Sequence, residues 1–464
     1  MLGLLAASAF FMRLQNFQNS RLRTIDEVVY YRMAVQMSRD FFDYNTIPYG
    51  KELAGKGRDL PAYFFKPLFK HPPLFTMLNA FSIRLFGPTM VSAEYVSLLC
   101  GVLLIPLAYW LGTLLTGRAA GLMAAIFMWL DPITIMASQK IWLDTTVAFF
   151  SVLAICLFIY GDQKKKGMVF VLSGVAIGLA VLTKYTGILS LIGIVLYATL
   201  YKRTLFQDKK FLSLIWIPFV MLLPWLFWNF VVYGLDFFME QALSHKLTFN
   251  TTRRIYRSSA LIVMIVTVTV LIMTQLKRSS RSQKNGGLGS FINTKRLKKR
   301  LIFVFGILLL LALHKQAIHS LDFHHIPKTS WRQGVFRGEP PTFFLGRLIE
   351  FSFLYTFALA SFFIHLSSHI KSKPMYSIAS LVVIIFFIIW GNYQSSRYIL
   401  PAIPFLIVLG VQFFLELLRK ASSLKPYGLQ VLSKGLLITI LIYSIVKTMH
   451  LNIVLSYTND MCFF

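Results

Sequence analysis

Apolar runs long enough to cross a bilayer recur from one end of the chain to the other, separated by short polar breaks. A hydrocarbon core about 30 Å thick needs roughly 20 apolar residues in helical form. By that measure the pattern predicts crossings at about 1–17, 90–115, 119–138, 143–160, 169–184, 187–201, 213–233, 259–276, 301–313, 346–366, 377–392, 399–418 and 432–450. The fold class is therefore an all-α polytopic membrane protein with about thirteen transmembrane helices. The stretch 73–87 is also apolar, but it opens on a proline pair, Pro72-Pro73, and carries Arg84. It fits an amphipathic helix lying along the interface.

The longest polar stretch, 18–72, is too short to hold a separate soluble domain, so a single transmembrane domain covers 1–464. Within it, 18–89 reads as a large outer loop with interfacial helices. The segment 277–300, with Gly286-Gly287 and many serines, reads as a flexible basic cytoplasmic loop. The opening apolar run has no basic flank and no small-residue cleavage site, which makes it a first membrane helix rather than a signal peptide.

Composition agrees: 56% of residues are hydrophobic and 14% charged. A net charge of +29 in a soluble protein would suggest nucleic acid. Here the basic residues gather in short loops between apolar spans, where positive-inside bias and anionic lipid headgroups account for them and no nucleic-acid partner is implied. Loop charge also sets topology. If 73–87 does not cross, the short loops on the side of the N-terminus carry 22 basic residues against 11 on the opposite side, and nine of the 22 lie in 277–300. The N-terminus is then cytoplasmic, and 18–72, Asp144, Lys184 and Arg397 share the outer face. Cys100, Cys156 and Cys462 are scattered singly and suggest neither a disulfide nor a metal site.

Acidic residues number only 18, so two adjacent ones on the outer loop stand out: Asp26-Glu27 in Thr24-Ile25-Asp26-Glu27-Val28. Four further features share that face. They are Lys70-His71-Pro72-Pro73, Asp144 at the end of Ser138-Gln139-Lys140-Ile141-Trp142-Leu143-Asp144, Lys184 closing Gly178-Leu179-Ala180-Val181-Leu182-Thr183-Lys184, and Arg397 in Ser396-Arg397-Tyr398-Ile399-Leu400-Pro401. Each has a plainer reading. Asp26 and Glu27 suit the positive end of a helix dipole, Asp144 suits a helix N-cap, and Lys184 and Arg397 suit helix-end residues snorkelling to the interface. Asp131 before Pro132 reads as a helix-end cap, and His314, His319, His324 and His325 with Asp322 read as a solvated loop, the alternative being a metal site on the outer face whose spacing matches no known metal motif.

In order and spacing these features resemble the GT-C superfamily of membrane glycosyltransferases, in particular the branch of protein O-mannosyltransferases and lipid A aminoarabinose transferases. The likeness covers 10–250 and the motif at 390–405. It implies a GT-C fold, sugar donors carried on polyprenyl phosphate, inversion at the anomeric centre, and a central catalytic role for Asp26-Glu27. It also implies a part for Asp144 in building the site or its metal centre. The chain departs from the aminoarabinose-transferase pattern at Lys70-His71, where that group has Glu-Lys before the prolines.

The residue types suit that chemistry. Displacing a lipid phosphate from an anomeric carbon needs a base for the acceptor proton and cations for the leaving phosphate. Asp26 is the candidate base and Glu27 its catalytic neighbour; Arg397, Lys184, His71 and Lys70 are candidates for binding the donor phosphate. Asp144 and Glu27 are candidate ligands for a divalent metal (Mg, Mn or Zn), since hard cations take carboxylate oxygens. The partners implied are a polyprenyl-phosphate-linked sugar, an acceptor lipid, glycan or protein, and membrane lipids. The expected location is a multi-pass plasma (inner) membrane protein with its site on the outer face, or the endoplasmic reticulum membrane in a eukaryote. The competing function is a polytopic transporter or lipid flippase, which should place its ionisable groups near mid-membrane rather than at one surface.

Overall fold

The computed structural model describes residues 1–15, 24–57, 60, 62–236, 348, 352, 354–361, 396–424 and 427–458. Among them the structure is helical, without strands. Helix α1 (Leu2–Gln15) is followed by α2 (Ile25–Arg39), α3 (Ile47–Gly55), a 3₁₀ turn at Ala62–Phe65 and α4 (Leu74–Phe86). The longer apolar helices come next: α5 (Met90–Leu115), α6 (Arg118–Leu130), the short α7 (Pro132–Ser138), α8 (Leu143–Lys164), α9 (Gly167–Thr183), α10 (Ile188–Tyr201) and α11 (Lys209–Tyr233). Later in the chain a 3₁₀ segment, Ser396–Ala402, leads into α12 (Ile403–Ser422), and α13 (Tyr427–Thr458) follows.

Five of these helices are long and apolar enough to cross a bilayer, six if the bent pair α6 and α7 is one span. Helices α1, α4, α9 and α10 contribute shorter apolar segments. The chain is thus a multi-pass membrane protein. The expected crossings at 259–276, 301–313 and 377–392 lie outside the described residues, and 346–366 is represented mainly by the helical turns at 354–361. One expected span needs correction. The run 119–138 is not a continuous helix but bends by 56° between α6 and α7. Pro132 supplies no backbone N–H and disfavours helical geometry at Asp131, whose carboxylate starts the new helix by accepting from the Thr134 amide at 2.7 Å.

Between lipid-exposed helices the hydrophobic effect gives little drive, so close packing through small residues does the work. Helices α5 and α6 approach at Gly112 and Gly121, where a Cβ on Gly112 would come within 2.7 Å of the Gly121 Cα. The main core gathers α1 and α5 to α12. A second cluster forms under the first loop from Val29, Tyr30, Met33, Tyr44, Phe69, Phe75 and Trp225. Helix α4 packs on α2 and α5. It buries Thr76 and Asn79 while leaving Phe81, Leu85 and Phe86 exposed, the pattern of an element whose open side faces lipid. Its 13 residues reach about 20 Å, short of a bilayer core.

Candidate active site

Four helix ends meet at one end of the bundle: the starts of α2 and α8, the end of α9, and the 3₁₀ segment before α12. They bring together Asp26, Asp144, Lys184 and Arg397. An arginine 371 residues away from Asp26 in sequence donates from Nη2 to Asp26 Oδ2 at 2.8 Å. Its Nε lies 3.5 Å from Asp144 Oδ2. On the other side, Lys184 Nζ donates to Asp144 Oδ1 at 2.8 Å. The result is an alternating chain of charge, Asp26, Arg397, Asp144, Lys184. All but Asp26 are largely shielded, with Arg397 14% and Lys184 15% exposed.

Local chemistry explains how each group is held. Asp144 lies in the first turn of α8, but the N-cap position belongs to Trp142, so the carboxylate is turned to the cations and does not cap the helix. Lys184 closes α9, and the chain turns back at Gly187, where any Cβ would collide with the backbone of Ala180. Both Lys184 and Arg397 are therefore ion-paired rather than extended to an interface. Their cations also lie over aromatic faces: Lys184 over Tyr398 at 4.6 Å, Arg397 over Trp142 at 4.2 Å and Tyr398 at 5.4 Å. Such stacking on π faces holds a cation without a formal charge.

The two adjacent acids have opposite surroundings. Asp26 keeps 51% of its side-chain surface accessible and is the exposed member of the pair. Burial by itself pushes this carboxyl up, but Arg397, Lys70 and Lys184 outweigh it and hold Asp26 below its ordinary value. Glu27 is fully buried and closes a capping box. Its Oε1 accepts from the Thr24 amide at 2.9 Å and from the Thr24 hydroxyl at 3.1 Å, while the Thr24 hydroxyl accepts from the Glu27 amide. Lys140 Nζ, also buried, lies 3.9 Å from the same oxygen.

Lys70 and His71 sit on the loop before α4, over the aromatic cluster. Tyr44 donates its hydroxyl to the His71 carbonyl at 3.0 Å, and the Phe69 ring meets both His71 and Tyr30 edge-on. Burial brings the Lys70 ammonium down to about 8, with Asp26 opposing that shift and Lys184 adding to it. Lys70 therefore belongs to the same electrostatic neighbourhood as the four central groups.

The expected metal ligands do not form a shared cage here. Glu27 is committed to Thr24 and Lys140, and Asp144 faces two cations, the reverse of what a divalent ion needs. Among the described residues no group of three or more His, Cys, Asp or Glu is placed to hold a metal. The four histidines from His314 to His325 lie outside the described residues. Sequence reading singled out Asp144 but passed over Lys140 and Trp142 in the same motif, and over Thr24. Thr24-x-x-Glu27 is a capping-box signature, so that contact was open to detection.

Residues 3–245 match the family of dolichyl-phosphate-mannose-protein mannosyltransferases. None of the curated proteins matches the sequence. In fold the chain is similar to ArnT from Cupriavidus metallidurans bound to undecaprenyl phosphate, with a TM-score of 0.54 at 15% identity over 100% of this chain and 76% of that one. It is also similar to the oligosaccharyltransferase AglB from Archaeoglobus fulgidus in complex with an inhibitory peptide and a dolichol-phosphate. There the TM-score is 0.55 at 15% identity over 97% of this chain and 56% of that one. A structure of the Archaeoglobus fulgidus oligosaccharyltransferase with Zn and sulfate gives 0.56 at 17% identity, covering 98% and 53%. The chain thus spans little more than half the length of the archaeal enzyme, and likeness at this identity speaks for the fold. With the family match extending over more than half of the sequence, the chain belongs to the dolichyl-phosphate-mannose-protein mannosyltransferases and is a membrane glycosyltransferase of the GT-C type.

Proposed function

We propose that this enzyme moves a sugar from a polyprenyl-phosphate donor to a lipid, glycan or protein acceptor, with inversion, at the outer face of the membrane. The observation that carries the reading is Arg397 bridging Asp26 and Asp144 beside Lys184. An accessible, ionised carboxylate flanked by cations provides a proton acceptor and an anion-binding edge side by side. In the reaction, Asp26 takes the proton of the acceptor hydroxyl as that oxygen attacks the anomeric carbon. The bond from that carbon to the phosphate oxygen breaks, and the phosphate leaves with the electron pair. Arg397, Lys184 and Lys70 offset the charge gathering on it, and His71 flanks them. The guanidinium now on Asp26 transfers to the phosphate when the donor binds, which frees the base. Glu27 acts at one remove, fixing the first turn of α2 and so the position of Asp26. Asp144 anchors both cations.

The reading is supported by the polyprenyl phosphates in the structures of ArnT and AglB. The test is Asp26→Asn, which keeps shape but cannot take a proton. Turnover of a lipid-linked sugar should fall roughly 10²–10⁴-fold, with thermal unfolding in detergent unchanged. Retention of a third or more of wild-type turnover would remove Asp26 from the role of base. For sidedness, we place 18–72 and 391–398 outside and 277–300 inside, with 73–87 not crossing. Cysteines introduced at Ser20, Ser395 and Ser282 in a cysteine-free background should label with an impermeant thiol reagent in intact cells at the first two and not at the third. Labelling at Ser282 contradicts the assignment.

A further inference from the structure

Trp142 is buried, 4% exposed, beside the central ion pairs. Its ring face lies under the Arg397 guanidinium at 4.2 Å. Its indole Nε1 donates to Thr24 Oγ1 at 3.2 Å, and Thr24 is the N-cap of the helix that carries Asp26. Its own backbone is pinned, since Ser97 donates its hydroxyl to the Trp142 carbonyl at 3.1 Å and the Trp142 amide donates to the Lys140 carbonyl at 2.7 Å. One side chain thus touches both the arginine and the cap that sets its carboxylate partner.

Resting on the phosphate-clamp reading of Arg397, we propose that Trp142 is a positioning residue that holds the guanidinium for the donor phosphate. The negative face of an aromatic ring attracts a cation held within about 6 Å of the ring centre, so a small shift of the cation over that face keeps the contact. A guanidinium stacked on Trp142 therefore keeps that contact while its fork moves from Asp26 to a phosphate oxygen, and its plane stays fixed through the exchange. The hydrogen bond from the indole edge to Thr24 prevents the ring from turning with the arginine. A cap hydroxyl with this bond, one to Glu27 Oε1 and one from the Glu27 amide ties the platform to the start of α2. Tyr398 lies against both Arg397 and Lys184 and supplies a second ring to the guanidinium.

The test measures binding of undecaprenyl phosphate to the full-length protein in lipid nanodiscs. Trp142→Leu removes face and donor together and should weaken binding about tenfold, within the range of a shielded cation–π contact. Trp142→Phe keeps a face and should lose less. In an Arg397→Ala background, which should itself bind weakly, Trp142→Leu should add no further loss. Equal losses with and without Arg397 would overturn the inference. The decisive series replaces Trp142 with singly and multiply fluorinated tryptophan, which drains charge from the ring face at nearly constant shape. Affinity should fall stepwise with fluorine count, and a flat response rejects the platform even if Trp142→Leu fails to fold. Arg397→Ala binding as tightly as wild type would instead overturn the clamp reading itself.

Discussion

Two buried polar clusters in this protein are built from similar residues and behave differently. At the bend between α6 and α7, Asp131 accepts from the Thr134 amide and hydroxyl at 2.7 and 2.6 Å and from the Tyr355 hydroxyl. Nearby, fully buried Arg13 donates to the Ser138 hydroxyl at 3.0 Å and the Ala9 carbonyl at 3.3 Å, within electrostatic reach of Asp131. This cluster is sealed, and its carboxylate spends its acceptor capacity on capping a helix and holding a hydroxyl. At the bundle end, by contrast, Asp26 and Asp144 take charged partners, and Asp26 remains half accessible. A membrane protein tolerates a buried acid in either setting. Only the second leaves charge that an incoming ligand can re-partition, so exposure and the kind of partner separate a joint from a site.

The sharpest way to break that comparison is to remove one acid from each cluster. Asp144→Ala leaves Lys184 and Arg397 facing each other without their shared anion, which should cost about 3–5 kcal/mol of stability and abolish most transfer. Undecaprenyl phosphate supplies a replacement anion, so it should raise the melting temperature of Asp144→Ala more than that of the wild type. An equal or smaller shift would show that the phosphate does not contact these cations.

Asp131→Ala should lower stability by about 2–4 kcal/mol, from a lost helix cap and a stranded buried hydroxyl. Activity per folded molecule should stay within about twofold, and undecaprenyl phosphate should give no extra stabilisation. A large fall in specific activity would mean that the bend is coupled to the site after all.

The smallest effect is in pH. Lys70 loses its proton at about 8, so its contribution to holding a phosphate is present below that value and fades above it. Asp26, held below its ordinary value, stays ionised throughout that window. Affinity for undecaprenyl phosphate should fall a few-fold as pH rises from 7 to 9, and Lys70→Arg should flatten the curve because arginine keeps its charge. A wild-type profile flat across that interval would remove Lys70 from the phosphate edge.

Hydropathy marks helices well where the whole element is apolar: α5 begins and ends where the apolar run 90–115 does, and α8 begins at Leu143. It is blind to the bend at Asp131-Pro132, because apolar residues continue on both sides and only the proline and its capping acid mark the break. At the site, the ordered motifs drew attention to Asp26, Asp144, Lys184 and Arg397, four residues that meet in space. The different settings of Asp26 and Glu27 were not legible, since adjacent helical residues point about 100° apart and burial decides which stays accessible. Trp142 was hidden for a related reason: an aromatic residue in an apolar segment looks the same whether it faces lipid or an arginine.

The separation of Asp26 from Arg397 also has a meaning in time. Made from the N-terminus at about 5–20 residues per second, the chain presents Asp26 on the order of 20 to 70 seconds before its arginine is synthesised. Asp144 meets Lys184 only 40 residues later, so the inner pair forms while translation is under way and shields that carboxylate within a partly inserted bundle. Asp26 waits for its guanidinium, and the proposed phosphate-binding edge is complete only once Arg397 has been made. A nascent protein in this state can settle its helices in the membrane without turning over the lipid-linked sugar around it.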